Sequence, residues 1–146
     1  MDEMDKKILE VLERNSRTSY KDIARHAKIS DVAVHKRIKK LEDGVIRAFT
    51  VLVDQKAYGK GTIAMASIRC ETGMTPKIAK ALAEIEDVTE VYTTVGNYDI
   101  AAKIKTADTD ALKDIIETKF MAIRGINEIR TSIVFDCVKE KVSLVF

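Results

Sequence analysis

Hydrophobic residues recur along this chain with two periods, and the period changes near residue 46. In the first part they recur every three to four positions. Ile8, Val11 and Leu12 share one side of a helix predicted over about Met4 to Arg14, with Glu, Lys and Arg on the other side. Tyr20, Ile23, Ala24 and Ala27 form the apolar face of a second, short helix. Val34, Ile38 and Leu41, at i, i+4 and i+7, do the same for a third that starts at Ser30. From Ile46 to Val53 the composition turns β-rich. Strands are expected over about Thr62–Cys70, Val88–Val95 and Asp99–Lys105, with Ile100, Ala102 and Ile104 on one face, and over Ile126–Val138, where Ile129, Thr131, Ile133 and Phe135 alternate. Between the strands, Ile78, Ala81, Leu82 and Ile85 mark one helix, and Leu112, Ile115, Ile116 and Phe120 another. The apolar end, Val142 to Phe146, is expected to pair or pack as well.

Punctuation residues sharpen these boundaries. Ser19 and Ser30 stand where N-caps belong, and Asp22 follows Ser19 at capping-box spacing. Thr75-Pro76 reads as a capping hydroxyl followed by a proline at the helix start. Asp108 or Thr109 caps the last helix. Gly44 is expected to end the third helix in a left-handed conformation. A short helix, a tight Lys28-Ile29 connection and a basic helix make a helix-turn-helix, whose second helix enters the DNA major groove.

A repeat organises the second part. Ile85–Val95 lines up with Ile123–Ile133 at an offset of 38 residues, and each copy follows an amphipathic helix. A strand–helix–strand unit used twice gives βαββαβ, a ferredoxin-like arrangement with both helices on one sheet face. The other face is expected to expose Ala64, Ala66, Ile68, Thr94, Ala101 and Val134, and so to join two copies in a homodimer. The fold class is therefore α+β. It comprises a winged-helix-like helix-turn-helix over residues 1–45, a linker strand and hinge over 46–61, and a ferredoxin-like domain over 62–146.

Charge divides the chain the same way. Net charge is +2 over 146 residues, but residues 1–60 carry 14 Lys and Arg against 10 Asp and Glu, and residues 61–146 carry 11 against 13. A basic first part and an acidic second part put nucleic-acid contact in the first. His35, Lys36, Arg37, Lys39 and Lys40 crowd the third helix, and Asp31 complements the positive end of that helix. A solvated surface helix would look similar, and the preceding short helix and turn favour DNA contact.

Catalytic patterns are missing. His26 and His35 are the only histidines, and there is no Cys-x-x-Cys pair, phosphate-binding glycine loop or Gly-x-Ser-x-Gly. No enzyme activity, metal or cofactor is expected. Cys70 and Cys137 read as small buried residues rather than a disulfide. No apolar run approaches the length of a membrane span and no secretory signal opens the chain, so a cytoplasmic protein without a membrane partner is expected. Gly96-Asn97-Tyr98-Asp99 is either turn chemistry alone or a carboxylate and backbone N–H groups able to hold a small zwitterion.

In ordered combination, several stretches resemble the Lrp/AsnC, or feast/famine, regulators. They are Met4–Leu9, Asn15–Tyr20, Ile23-Ala24, Ile29-Ser30, Val34–Glu42, Gly44-Val45-Ile46, Gly59 and Gly96–Asp99. The resemblance implies a DNA-binding helix-turn-helix joined by a strand to a ligand-sensing domain. It also implies amino-acid effectors, and dimers that often assemble into octamers as tetramers of dimers. Carried over by position, Ser30, His35, Lys36, Arg37, Lys39 and Lys40 face double-stranded DNA, with Asp31 among them. Gly96 and Asp99 match the effector turn, with Asn97 between them and Thr94, Tyr98, Thr131 and Ser132 as pocket neighbours. One residue, Asp43, separates Leu41-Glu42 from Gly44 where relatives have two, so the helix exit is expected to be re-angled. Two alternatives stay open: a helix-turn-helix protein without an effector, and a small-molecule-binding ferredoxin-like protein with a helical dimerisation arm.

Overall fold

A computed structural model describes residues 1–141 of the chain. Its contacts divide into a helical unit built on Met1–Leu52 and a sheet unit, Val53–Val138.

In the helical unit, α1 (Glu3–Arg14), α2 (Tyr20–Ala27) and α3 (Asp31–Glu42) enclose Ile8, Leu12, Ile23, Ala24, Val34, Ile38 and Leu41. Each helix opens on a side-chain cap, because its first N–H groups have no partner within the helix. Asp2 and Asp5 form a reciprocal capping box on α1, with each backbone N–H 2.9 Å from the other carboxylate. The box begins the helix just before the start that periodicity suggested. Ser19 accepts from the Asp22 N–H, and Ser30 from the Ala33 N–H, both at 3.2 Å. Lys28 closes α2 in the left-handed region (φ 56°), which turns the chain directly into α3. Gly44 differs from expectation, since it does not adopt a left-handed φ. The carbonyl of Leu41 instead accepts the N–H groups of Val45 and Ile46, at 2.7 and 2.8 Å, so α3 ends without needing a glycine conformation.

Residues 46–53 form no strand. Their sequence favours extended structure, but a strand requires a hydrogen-bonding neighbour, and none adjoins them among the described residues. Phe49, Val51 and Leu52 are left exposed.

The sheet unit runs β1 (Thr62–Cys70), α4 (Thr75–Ala83), β2 (Val88–Thr93), β3 (Ile100–Thr106), α5 (Thr109–Asp114) and β4 (Ile126–Ile133). Helix α5 continues through a π-helical stretch, Ile115–Phe120, which brings Ile115 and Phe120 to the core. The sheet order is β2-β3-β1-β4 with every pair antiparallel, as the βαββαβ reading requires. The repeat is visible in the packing: Ile85 and Ile123, Val88 and Ile126, and Val91 and Ile129 take equivalent places around one core.

Four expectations need correction here. On β1, Ala64, Ala66 and Ile68 are 0%, 1% and 0% exposed and lie beneath the helices. They pair with Ile104, Ala102 and Ile100, and directly opposed residues share a face. The open face of β1 is therefore Ile63, Met65, Ser67 and Arg69, beside Ala101 and Val134. It is apolar along part of β1 but carries ion pairs around it, Lys103–Glu90 at 2.7 Å among them. Next, α4 is capped at Met74 with no side-chain bond, and Pro76 follows Thr75 inside the helix. The Thr75 hydroxyl is turned to the Cys70 thiol, whose pKa burial pushes up and that contact pulls partly back. Cys137 is exposed rather than buried. Finally, β4 stops at Ile133, with the Val134 N–H bond to Ile63 O (2.8 Å) just beyond it, while β1 itself runs on to Thr62. The expected apolar end, Val142 to Phe146, lies outside the described residues.

Candidate functional sites

Two places carry the residues that the sequence singled out. The first is α3. Its core side holds Val34, Ile38 and Leu41, and the opposite side exposes Asp31, Val32, His35, Lys36, Lys39 and Lys40. Among the described residues, no acidic side chain pairs with Lys36, Lys39 or Lys40. Three ammonium groups on one helix with no internal counter-charge form a surface suited to a polyanion.

Arg37 behaves differently. Its guanidinium turns to the start of α1, donating to both oxygens of Asp2 at 2.9 and 2.8 Å and to Asp5 at 2.6 Å. Asp5 is nearly buried, and a buried carboxylate needs such partners. The backbone N–H of Asp5 and then Arg37 hold the Asp2 carboxyl down at about 2. The Asp2 N–H and then Arg37 lower Asp5, and the two carboxylates raise Arg37 further. The sequence grouped Arg37 with the DNA-facing side chains, whereas the structure engages it in docking α1 against α3. Asp2 and Asp5 are the functional partners that sequence reasoning missed; their Asp-x-x-Asp spacing at a helix start was the available signal.

Ser30 and Asp31 are engaged locally, Ser30 on the Ala33 N–H and Asp31 on the Val32 N–H at 3.0 Å. His35 meets Tyr20 edge to face, with ring centroids 5.3 Å apart, which couples the start of α2 to the middle of α3.

The second place is the β2–β3 turn. Gly96 takes φ 153°, a conformation that side chains rarely adopt, and an added Cβ would meet nothing within 4 Å. Glycine serves the backbone shape here, not a close approach. Thr94 binds across the turn, its hydroxyl donating to Tyr98 O and its N–H to Asp99 O, both at 2.8 Å. Asp99 accepts the Cys70 N–H at 2.8 Å through Oδ2, while its own N–H donates to Ile68 O at 2.9 Å. The carboxylate thus closes the end of β1. Tyr98 donates to Glu128 at 3.1 Å, and its ring lies under two guanidinium groups, Arg69 at 5.3 Å and Arg130 at 5.8 Å. Glu128 also faces both arginines, at 3.5 and 3.6 Å.

Thr94, Gly96, Asn97, Tyr98 and Asp99 therefore gather in one turn. Thr131 and Ser132 do not join them as a pair. Thr131 opposes Ala66 on the helix side, where it lines a groove of about 310 Å³ with Leu112, Ile116 and Ile133. Ser132 opposes Met65 on the open face, several residues along β1 from Cys70. Adjacent strand residues point to opposite faces, so one pocket on a single sheet face cannot use both. Among the described residues, no cluster of His, Cys, Asp and Glu could hold a metal ion. No helix among them is long and apolar enough to cross a membrane.

Comparison with known proteins matches both units. Residues 1–42 fit the family model of the AsnC-type helix-turn-helix domain, and residues 63–144 that of the Lrp/AsnC ligand binding domain. The HTH-type transcriptional regulator FL11 of Pyrococcus horikoshii is 32% identical over 145 residues, 99% of this chain and 95% of that protein. The regulator LrpA of the same organism is 34% identical over 140 residues, 95% of this chain and 99% of that one. The solved structure of AsnC from E. coli superposes with a TM-score of 0.91 at 28% identity, over 98% of this chain and 97% of that one. A Neisseria meningitidis transcriptional regulator solved with L-Met has the same fold, with a TM-score of 0.92 at 22% identity over 99% and 96% of the two chains.

Proposed function

We propose how this chain, which belongs to the Lrp/AsnC family of transcriptional regulators, divides its work between its two units. As a member it is a DNA-binding regulator with a ligand-binding domain, and the family is not enzymatic. In our reading, residues 1–45 bind DNA, residues 46–61 link, and the sheet unit senses an effector and assembles copies. Helix α3 lies in the major groove. Lys36, Lys39 and Lys40 neutralise phosphates and supply salt-dependent affinity, while the stretch from Ser30 to Lys36 reaches base edges. The observation that supports this most is the charge arrangement of α3: Arg37 ties the helix to α1, and among the described residues the three lysines carry no acidic partner.

The effector is an amino acid held at the Gly96–Asp99 turn. Asp99 Oδ1 has no partner among the described residues and suits an ammonium group, while Arg69 and Arg130, over the neighbouring Tyr98 ring, carry the charge that suits a carboxylate. The Neisseria regulator's L-Met complex is in keeping with this class of ligand. Two copies join through the open sheet face, where half-buried Ile63, Met65 and Ala101 form an apolar strip rimmed by charge, and exposed Phe49, Val51 and Leu52 add to that assembly. A dimer then presents two α3 helices to half-sites about one DNA turn apart.

Selection of bound sites from random DNA, with and without each of the twenty amino acids, tests the reading. One amino acid should change affinity or assembly size in the wild-type protein, and Asp99→Ala should abolish that response while leaving DNA binding in place. Recovery of sites with no amino acid having any effect would leave a regulator without this effector. Failure to recover any site would remove the assignment of α3.

A further inference from the structure

The outer ridge of α3, opposite its buried face, consists of Val32, Lys36 and Lys39 at i, i+4 and i+7. Two of these are the lysines assigned to phosphates. The third is apolar. Val32 is 61% exposed and is the one large hydrophobic residue of α3 that the helical unit leaves uncovered. Single exposed hydrophobics are common on protein surfaces, so exposure alone says little; the place on the helix says more. Val32 is the second residue of α3, in the N-terminal half that reaches deepest into a major groove when a helix-turn-helix docks. Its β-branched side chain gives a helix no propensity advantage and, at this position, adds nothing to the core. Its neighbours across the ridge are Lys36 and His35, with Asp31 beside it, so a surface otherwise made of charge and hydrogen-bonding groups carries one apolar contact point.

Within the major groove, the thymine 5-methyl is the apolar group that distinguishes one base from another. We propose that Val32 is a specificity-determining residue that packs on a thymine 5-methyl in each half-site. The inference rests on α3 being the recognition helix. The lysines then supply affinity that is blind to sequence, and Val32 together with its polar neighbours selects where on the duplex that affinity is used. Because the methyl is lost without any change in hydrogen bonding when thymine is replaced by deoxyuridine, the contact can be removed from the DNA side alone.

The test starts from a site selected by the wild-type protein and replaces its thymines one at a time by deoxyuridine. At one position per half-site, the wild-type protein should lose about fourfold in affinity, the worth of one buried methyl-sized group. Val32→Ala, which removes the contact from both half-sites of a dimer, should lose about fourfold per half-site, about 16-fold in all, on the unmodified site, show no further loss with deoxyuridine at that position, and keep the wild-type salt dependence. Full deoxyuridine sensitivity retained by Val32→Ala would overturn the proposal. A change in assembly size for Val32→Ala would also overturn it, by placing the side chain in a protein contact. Lys36→Ala with Lys39→Ala separates the two layers: if that variant binds normally, the recognition-helix reading itself fails. If it binds weakly while no deoxyuridine position matters, only the role of Val32 fails.

Discussion

The helical unit and the sheet unit use their polar residues in opposite ways. In the helical unit the polar interactions are made at the helix starts, where Arg37 joins the Asp2–Asp5 box on α1 and Ser19 and Ser30 cap α2 and α3. Among the described residues, Lys36, Lys39 and Lys40 on the outer side of α3 have no acidic partner. In the sheet unit the residues expected to meet a ligand are themselves structural: Asp99 holds the end of β1, Thr94 ties the turn, and Tyr98 donates to Glu128. In the proposed reading the difference teaches that a surface for DNA needs only cations without acidic partners on a folded helix. A ligand site built from engaged groups needs a further component, either the ligand competing for those groups or a second copy closing over the open face.

The two units have separate cores, and the largest expected effects test whether they unfold separately. Phe120→Ala should destabilise the sheet unit by about 3–5 kcal/mol, and Ile8→Ala the helical unit by about 2–5 kcal/mol, since both side chains are fully buried in separate cores. Thermal unfolding followed by backbone amide resonances should show each variant lowering the transition of its own unit. A single transition lowered equally by both would mean one cooperative body.

A smaller effect sharpens the contrast on the inner side of α3. Asp2 and Asp5 have lowered folded-state pKa values, Asp2 about 2 against an ordinary 3.8. A lowered carboxyl pKa contributes stability that is fully present above the unfolded value and is lost as pH falls through the folded one. The helical unit should therefore weaken between about pH 4 and pH 2. Arg37→Ala should lower its melting midpoint at neutral pH and flatten the fall over that window, as read by the amide resonances of α1 and α3. An unchanged acid profile in Arg37→Ala would mean that the triad does not dock the helices.

Much of the architecture was legible because both periods are clean. The three helices follow from Ile8–Leu12, Ile23–Ala27 and Val34–Leu41, and the βαββαβ order follows from a repeat whose equivalent isoleucines and valines do pack equivalently. The face of β1 was misread because Ile63 through Ile68 is apolar in both phases. Only its register against Ile100, Ala102 and Ile104 decides which side is buried. Residues 46–53 look like a strand but have no strand partner among the described residues, a fact about neighbours that composition does not carry. Arg37 was indistinguishable from the lysines around it, since its acidic partners stand 32 and 35 residues earlier. At the turn, the sequence located Gly96 and Asp99 but could not say that the Asp99 carboxylate already holds the Cys70 N–H.

The central claim is that α3 meets DNA through Lys36, Lys39 and Lys40 while Arg37 ties the helix to α1. The dependence of affinity on salt tests it most directly, measured on a selected site for the wild-type protein and for Lys36→Ala with Lys39→Ala. Each phosphate contact contributes about 0.9 to the slope of log affinity against log salt. The double variant should therefore lose about 1.8 from that slope for every α3 engaged, or about 3.6 for a dimer with both helices in the groove. An unchanged slope, with affinity intact across the salt range, would contradict the account.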